Sequence, residues 1–279
     1  MQFAKLATIV SLLTCLNILS SAPFNRPAKN VDLFDYWFGY YKSRKDFLEK
    51  GLNKIYPRKS EYEKILKKYS QHFSQSNESL LRLMIAHEYV ESHGEIGDIS
   101  AKGAKGPRQW MAETAKYYDL KEDDFIDERC DPIKSADATM RFFVRHKSEF
   151  NSLDYAILAY NGGQNRLKRV LKECRDKKIK VSSYRDIPSY MLPKETLNYI
   201  YQIKTINAIL RNPSHFGIKL NKDMVFFREY KTKRDDNICS IAKKYNSSVK
   251  DIVDYNGIKN KSKLPANYQI KIPVFLRKT

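Results

Sequence analysis

One carboxyl in this sequence stands where it could act as a general acid. Residues 80, 84, 87 and 91 share one face of an α-helix, so Glu91 continues the apolar face of Leu80 and Met84. A carboxyl at the end of such a face is partly removed from water, which raises its pKa and suits a proton donor. The alternative is that Glu91 merely ends a surface helix. Taken alone, the residue fits that second interpretation better.

The same segment begins like a zinc-binding helix. The letters HEYVE at positions 87–91 match the start of the H-E-x-x-H motif. Position 91 is Glu, however, and His93 faces elsewhere on a helix, so the second histidine ligand is missing. We therefore predict no metal and no cofactor, and His87 is expected to be packed or solvated.

Further short motifs follow Glu91-Ser92 in a fixed order. They combine polar residues with small-residue turns, and they are Ser100, Gly103-Ala104-Lys105-Gly106, Gln109, Thr114, Ala159-Tyr160-Asn161-Gly162-Gly163, Leu192-Pro193-Lys194-Glu195-Thr196, Tyr199, Asn212-Pro213 and Gly217. As a set they resemble the lysozyme-like catalytic domain of soluble-type lytic transglycosylases. The resemblance covers residues 60–217 and is specific in the combination of motifs rather than in any one of them.

A second resemblance lies near the end of the chain. Two strand patterns, over 225–230 and 268–272, flank two short helical patterns over 238–245 and 249–255. The order resembles a LysM domain, and the residues that carry the likeness are Tyr230, Asp235-Asp236-Asn237-Ile238, Ser240-Ile241-Ala242-Lys243-Lys244-Tyr245, Val249, Ile252, Asn256-Gly257 and Ile270-Lys271-Ile272-Pro273. LysM domains bind glycans that contain N-acetylglucosamine. A catalytic domain followed by LysM resembles the membrane-bound lytic transglycosylase D group.

The resemblance implies a reaction. Enzymes of this family cleave the β-1,4 bond between N-acetylmuramic acid and N-acetylglucosamine in peptidoglycan, and the muramic 6-hydroxyl closes a 1,6-anhydro end. One carboxyl, here Glu91, protonates the leaving oxygen and then takes the proton of the hydroxyl. An internal nucleophile needs no second catalytic carboxylate, unlike the pair of ordinary glycosidases.

The resemblance also implies roles for the other matching residues. Ser100 would contact the intermediate or orient Glu91, and Tyr160 would hydrogen-bond near that carboxyl. The full implied substrate-binding set is Ser92, Ser100, Gln109, Tyr160, Asn161, Glu195 and Tyr199. The implied glycan-binding set of the LysM part is Asp236, Asn237, Ile238 and Asn256. For Glu195, a capping-type position near the start of its helix is an equal alternative.

Two departures from the family patterns stand out. Pro107-Arg108 occupies the place of an apolar residue, often Trp, before the Gln. Arg108 is expected either to reach a peptide carboxylate of the substrate or to be solvated, and the change could alter the subsites or reduce activity. In the LysM part, Asn267 stands where a turn usually has Gly, and Asn tolerates left-handed geometry.

Helical periodicity predicts the elements that position these residues. Tyr62, Ile65, Leu66 and Tyr69 form one apolar stripe. Caps and breakers mark further helix ends, at Ser76-Asn77, Asp131-Pro132, Asn161-Gly162-Gly163 and Pro193. The predicted fold class is mainly α, with a lysozyme-like all-α catalytic domain followed by a small, separate βααβ LysM domain.

Composition restricts the partners. The 279 residues include 51 Lys or Arg and 32 Asp or Glu, a formal net charge of +19. Such a balance favours an acidic partner, such as nucleic acid, an anionic membrane or a cell-wall polymer. No nucleic-acid-binding motif is present, so we predict no nucleic-acid partner and expect peptidoglycan glycan strands instead.

The N-terminus predicts export. Lys5, an uncharged apolar run over 7–19 and the small residues Ser20-Ser21-Ala22 are typical of a signal peptide. Because Pro23 follows, cleavage elsewhere or membrane anchoring through this segment stays open, and a buried helix is the other alternative. The predicted localisation is the periplasm or cell envelope. The predicted domains are 1–22 signal peptide, 23–58 partly helical extension or linker, 59–217 catalytic domain, 218–223 linker and 224–275 LysM domain.

The cysteines do not form a disulfide framework. Beyond the predicted signal peptide they number three, Cys130, Cys174 and Cys239. Cys130 could pair with Cys174, but isolated cysteines are more often small buried residues.

Two other functions remain open from the sequence. One is a non-catalytic, peptidoglycan-binding scaffold. The other is a hydrolytic muramidase on the same fold, whose product has a reducing end instead of an anhydro end.

Overall fold

The computed structural model describes residues 32–221, 223–234, 236–261 and 264–276. The predicted signal peptide lies outside these residues. The larger part is built of helices α1 (Leu33–Ser43), α2 (Lys45–Ile55), α3 (Lys59–Tyr69), α4 (Asn77–Ser92), α5 (Ala112–Tyr117), α6 (Pro132–Phe150), α7 (Leu153–Gly162), α8 (Gln164–Asp176) and α9 (Lys194–Ile209). The smaller part consists of β1 (Met224–Lys231), α10 (Ile238–Lys244), α11 (Val249–Asn256) and β2 (Gln269–Leu276). The prediction of a mainly α chain with a small βααβ part is confirmed.

The predicted caps begin the helices that matter for the site. The Ser76 hydroxyl accepts a hydrogen bond from the Ser79 amide at 3.2 Å and starts α4. The Asp131 carboxylate accepts from the amide of Ile133 at 2.9 Å and starts α6, with Pro132 in its first turn. Both caps satisfy amides that the helix itself leaves unpaired.

Helix α4 is the centre of the larger part. Its buried residues lie on more than one face, since Leu80, Met84, Ile85 and Tyr89 are each almost fully buried. Helices α2, α3 and α9 pack against it. A helix that is apolar on several faces is buried in a core. The side chains at the C-terminal end of α4 are therefore attached to a backbone that lies inside the protein.

The extension before residue 59 is helical and part of this core. Trp37 and Tyr41 of α1 are buried, and the Tyr41 hydroxyl donates to Gln202 Oε1 of α9 at 3.1 Å. For residues 33–55 the helical alternative is therefore correct and the linker alternative is wrong.

The smaller part has its own sheet and core. Strands β1 and β2 pair antiparallel, with Arg228 opposite Ile272 and Tyr230 opposite Ile270. Its core also includes Ile126, which comes from the larger part of the chain. The prediction of a separate module is wrong in this respect, because an apolar side chain outside the βααβ unit completes its core.

The three described cysteines are free, so the possible pairing of Cys130 with Cys174 is wrong. Cys130 and Cys174 are buried, and Cys239 is exposed. The Cys174 thiol contacts the Met191 sulfur at 3.5 Å. Among the described helices, none has the length and apolar character needed to cross a bilayer.

Candidate active site

Glu91 lies in the last turn of α4, where the core opens toward the surface. Its side chain is 13% exposed. The hydroxyl of Tyr199, from α9, donates a hydrogen bond to Glu91 Oε1. Since α4 and α9 pack along each other, this contact is set by two long elements rather than by a loop.

Burial decides the protonation of Glu91. Loss of water raises its pKa to about 8, and the carboxylate of Glu195 adds to the rise. The Tyr199 hydrogen bond and the charge of Arg108 act in the opposite direction. Because the net shift is upward, Glu91 carries its proton at neutral pH, as a general acid must.

His87 lies one turn before Glu91 and is completely buried. Burial and the neighbouring Arg108 guanidinium hold the pKa of His87 well below its usual range, so the ring is neutral. Arg108 Nη1 lies 3.2 Å from His87 Nδ1 and can only donate. The ring proton therefore sits on Nε2, 3.9 Å from Glu91 Oε1. Of the two predicted environments, the packed one is correct.

Arg108 does not occupy either of its predicted positions. It is fully buried, its Nη2 donates to Glu88 Oε2 at 3.2 Å, and its Nη1 donates to the Met84 carbonyl at 3.0 Å. Both the substrate-contacting and the solvated interpretations are wrong. The reason is that Glu88, on the inner side of α4, offers a buried carboxylate to the guanidinium.

Glu88 binds a second arginine as well. Arg58, also buried, forms an ion pair with it, and the Tyr62 hydroxyl donates to its other oxygen. We call Arg58, Tyr62, Glu88 and Arg108 the buried charged cluster. Sequence reasoning missed it because its members are far apart in the chain. The one signal in the sequence was Arg108, which stands where the family pattern has an apolar residue.

The loop between α4 and α5 is shaped by two of the predicted residues. The Ser100 hydroxyl accepts from the Ala104 amide at 3.0 Å. Gln109 has a left-handed backbone, φ 49°, and its Nε2 donates to the carbonyls of Gly106 at 2.9 Å and Asp98 at 3.2 Å. Within the described residues, no hydrogen bond joins Ser100 or Gln109 to Glu91. Their substrate contacts stay predictions.

Ser92 holds this loop to α4. It is 2% exposed, and its hydroxyl donates to the Pro107 carbonyl at 3.0 Å. The hydroxyl thus faces the interior, and the predicted contact of Ser92 with substrate stays a prediction. Its effect is to fix the backbone that carries Arg108.

Tyr160 lies beside the carboxyl but binds the loop. Its hydroxyl donates to the Arg108 carbonyl at 2.8 Å, and its ring meets His87 edge-on with centroids 4.5 Å apart. Burial and then the nearby Glu91 raise the pKa of Tyr160 well above its usual value. Tyr160 is thus close to Glu91 without a direct hydrogen bond to it.

Asn161 and Glu195 mark the side of the site formed by α7 and α9. Asn161 Oδ1 accepts from the Thr196 hydroxyl at 2.8 Å and joins the two helices. Glu195 is exposed in the first turn of α9, which begins at Pro193 without a side-chain cap. The capping alternative for Glu195 is therefore wrong, and substrate contact stays a prediction.

Two predicted glycan-binding residues of the smaller part face inward. Ile238 is 2% exposed and belongs to its core. Asn256 is 8% exposed; its Nδ2 donates to the carbonyls of Ile252 and Lys271, and its Oδ1 accepts from the Lys271 amide at 2.7 Å. Asn256 therefore joins α11 to β2, Ile238 packs in the core, and the glycan contacts of both residues stay predictions.

The other two occupy the start of α10. Asp236 Oδ2 accepts from the Tyr230 hydroxyl and the Lys233 amide, both at 2.7 Å. Asn237 is exposed and caps α10 by accepting from the Ser240 amide at 2.8 Å. Their glycan contacts stay predictions. In the described part of the chain, no three His, Cys, Asp or Glu side chains cluster as metal ligands.

Comparisons with known proteins match both parts of the chain. Residues 68–183 match the family model of the transglycosylase SLT domain, and residues 230–273 match that of the LysM domain. The membrane-bound lytic murein transglycosylase D of Escherichia coli strain K12 is 30% identical over 133 residues, which cover 47% of this chain and 28% of that protein. The protein of the same name from Escherichia coli O6:H1 gives the same values. The chain thus spans little more than a quarter of the length of these curated relatives.

Solved structures are similar as well. Among them, the 70 kDa soluble lytic transglycosylase from Escherichia coli aligns with a TM-score of 0.40 and 18% sequence identity. The alignment covers 54% of this chain and 24% of that one.

Proposed function

We propose that this chain, which carries a transglycosylase SLT domain and a LysM domain, is a peptidoglycan lytic transglycosylase with Glu91 as its acid and base. It cleaves the β-1,4 bond between N-acetylmuramic acid and N-acetylglucosamine and leaves 1,6-anhydro-N-acetylmuramic acid ends. The observation that carries the proposal is the position of Glu91, whose side chain is 13% exposed and accepts a hydrogen bond from Tyr199, among the residues that match the SLT domain.

The first step uses the proton that Glu91 holds at neutral pH. Glu91 gives it to the glycosidic oxygen, the bond from that oxygen to the muramic anomeric carbon breaks, and the carboxyl becomes a carboxylate. The Tyr199 hydroxyl, already donating to Oε1, stabilises the new negative charge. The nearby Arg108 charge favours the same ionised form.

The second step returns the proton. The muramic 6-hydroxyl oxygen bonds to the anomeric carbon, and its proton passes to the Glu91 carboxylate. The enzyme is then ready for another cycle without a water molecule having entered the product. One carboxyl suffices because it acts in both directions.

The LysM domain and the charge support the same substrate. LysM would hold the enzyme on the glycan and raise its effective concentration there. A net charge of +19 attracts carboxylate-bearing polymers. We therefore propose that the protein acts outside the cytoplasm, in the periplasm or cell envelope.

The test is product analysis with a matched pair of variants. Purified peptidoglycan is incubated with the wild-type chain, with Glu91→Gln and with Glu95→Gln, and the released muropeptides are identified by mass spectrometry. Glu95 lies four residues after Glu91, is exposed and pairs with Lys54, so its replacement should leave activity unchanged. We expect anhydro products from the wild type and Glu95→Gln, and none from Glu91→Gln.

Each other result selects a different function. Reducing-end products from the wild type would mean a muramidase on the same fold. Full activity of Glu91→Gln would remove this residue from the mechanism. No products from the wild type, with binding to peptidoglycan intact, would leave a non-catalytic binding protein.

A further inference from the structure

The LysM part is docked on the helical part through one segment. Residues 121–131, which follow α5, contact it along their length. The Lys259 amide donates to the Phe125 carbonyl at 2.9 Å, and Lys271 Nζ forms an ion pair with Asp131 Oδ2 at 2.7 Å. The Tyr268 hydroxyl donates to the Asp123 carboxylate. These polar contacts surround the apolar contact of Ile126 with the LysM core.

Gly257 shows how close this docking is. Its φ is +59°, and a Cβ at this position would overlap the carbonyl oxygen of Asp127. Only a residue without a side chain lets the two backbones approach this far. The end of α11 therefore rests directly on the segment 121–131.

The other side of the same segment supports the loop of the candidate active site. Lys105 Nζ lies 3.0 Å from Asp127 Oδ2. Arg129 Nη1 donates to the Gly103 carbonyl at 3.2 Å, and a Cβ on Gly106 would overlap the Arg129 carbonyl. Asp127, fully buried, thus touches the LysM part through its carbonyl and the loop through its carboxylate.

A second connection reaches the catalytic helix. The Tyr255 hydroxyl of α11 accepts from Arg58 Nη1 at 3.1 Å. Arg58 pairs with Glu88, which also binds Arg108 of the loop. Glu88 lies one turn before Glu91 on α4. Because all the polar groups of this connection are buried, their partners cannot be replaced by water without a change in structure.

We propose that the docked LysM domain is part of the framework of the catalytic site, with Gly257 and Tyr255 as positioning residues for Glu91. Through residues 121–131 it sets the loop 103–110, and through Arg58 it sets the end of α4. This inference rests on the proposed function. It adds that LysM acts on turnover itself, besides any glycan binding.

The two roles of LysM affect different kinetic quantities. A domain that only tethers the enzyme changes KM on whole peptidoglycan and leaves kcat on short soluble glycan fragments unchanged. A domain that positions the site changes kcat on those fragments, since their reaction depends on geometry at Glu91.

The main test compares two glycine substitutions in the full chain. Gly257→Ala forces the Asp127 backbone away, whereas Gly217→Ala, at φ +67°, meets only the Lys45 side chain at 3.5 Å. Both variants carry the strain of a left-handed backbone, so any difference between them reports the contact between Gly257 and Asp127. We expect kcat on short peptidoglycan fragments to fall roughly tenfold to hundredfold for Gly257→Ala only.

Hydrogen exchange measured by mass spectrometry supplies a readout that needs no activity. We expect faster exchange over residues 103–110 and 121–131 in Gly257→Ala than in Gly217→Ala. Unchanged exchange and unchanged kcat would overturn the inference. A wild type that is inactive on every glycan would instead overturn the proposed function, and the exchange data would still decide the docking.

A second pair of variants, with smaller changes, tests the inference if Gly257→Ala does not fold. Tyr255→Phe removes only the hydroxyl that Arg58 binds, and Tyr245→Phe removes a hydroxyl from a ring that packs on Tyr230 within the LysM part. We expect a several-fold loss of kcat for Tyr255→Phe with little change in KM, and no loss for Tyr245→Phe. Equal kcat values for the two variants would contradict a positioning role for Tyr255.

Discussion

Replacing Tyr199 by Phe tests the electrostatics of the candidate site without removing the acid. The Tyr199 hydroxyl donates to Glu91, and this bond favours the ionised carboxylate. Without it the charged form is less stable, so the pKa of Glu91 must rise above its value of about 8. The sign is upward because the lost hydrogen bond had lowered the pKa of Glu91.

The size follows from the strength of such a bond. A hydrogen bond to a charged group contributes about 1.5–3 kcal/mol, and one pKa unit corresponds to about 1.4 kcal/mol. Tyr199→Phe should therefore move the pKa upward by about one to two units. Since Glu91 must be protonated to act, wild-type activity is lost as the pH rises through about 8. In the variant this loss occurs at higher pH.

The assay is the pH dependence of kcat/KM, which reports the free enzyme. Tyr201→Phe is the control, because Tyr201 lies on the same helix but packs on Tyr184 with ring centroids 5.7 Å apart. We expect its profile to coincide with that of the wild type. An alkaline limb of Tyr199→Phe that stays in place or moves to lower pH would refute the reasoning.

The remaining predictions concern stability and reactivity. The pKa of Glu91 is about 8 in the folded protein and 4.5 ordinarily, so Glu91 lowers the stability of the fold progressively as the pH rises between these values. In urea titrations at pH 7, the free energy of unfolding of Glu91→Gln should therefore exceed that of the wild type by about 3 kcal/mol, and below the ordinary pKa the two should be equal. Glu88→Ala leaves two buried arginines without their carboxylate and should lower the free energy of unfolding by about 3–5 kcal/mol in the same assay. Glu78→Ala removes a carboxylate that is 78% exposed and should lower it by less than about 1 kcal/mol. Cys239 is exposed and should react with a thiol reagent in the native protein, whereas burial raises the pKa of Cys130 to about 12 and should protect it until unfolding.

The sequence predicted the helical framework well because its signals are local. The stripe of Tyr62, Ile65 and Leu66, the cap at Ser76 and the Asp131-Pro132 start are all where the periodicity and capping rules place them. These features depend on residues within one or two turns.

The errors share the opposite property. The sequence does not predict the buried position of Arg108, because its partner Glu88 lies twenty residues earlier and no local pattern joins the two. The backbone partners of Asn256 and Ser92 were not predicted either, because they belong to elements distant in the chain. The docking of the LysM part was missed for the same reason, since no local pattern encodes a contact between Gly257 and Asp127.

The buried charged cluster explains how Arg108 is accommodated in the interior. Two arginines share one carboxylate in the interior; Arg58 Nε also donates to the Tyr62 hydroxyl, and Arg108 Nη1 donates to the Met84 carbonyl. Buried charges are acceptable where partners and geometry are supplied together. Arg108 is therefore part of a buried structural group and does not face the candidate site as a free charge.

The most direct measurement for the central claim is the origin of the oxygen at the new chain end. Peptidoglycan is digested by the wild-type chain in water enriched in heavy oxygen, and the muropeptides are weighed by mass spectrometry. If the muramic 6-hydroxyl is the nucleophile, the new ends are lighter by one water and carry no label. Labelled reducing ends would show that water attacks instead, and would contradict the proposal that Glu91 serves an internal nucleophile.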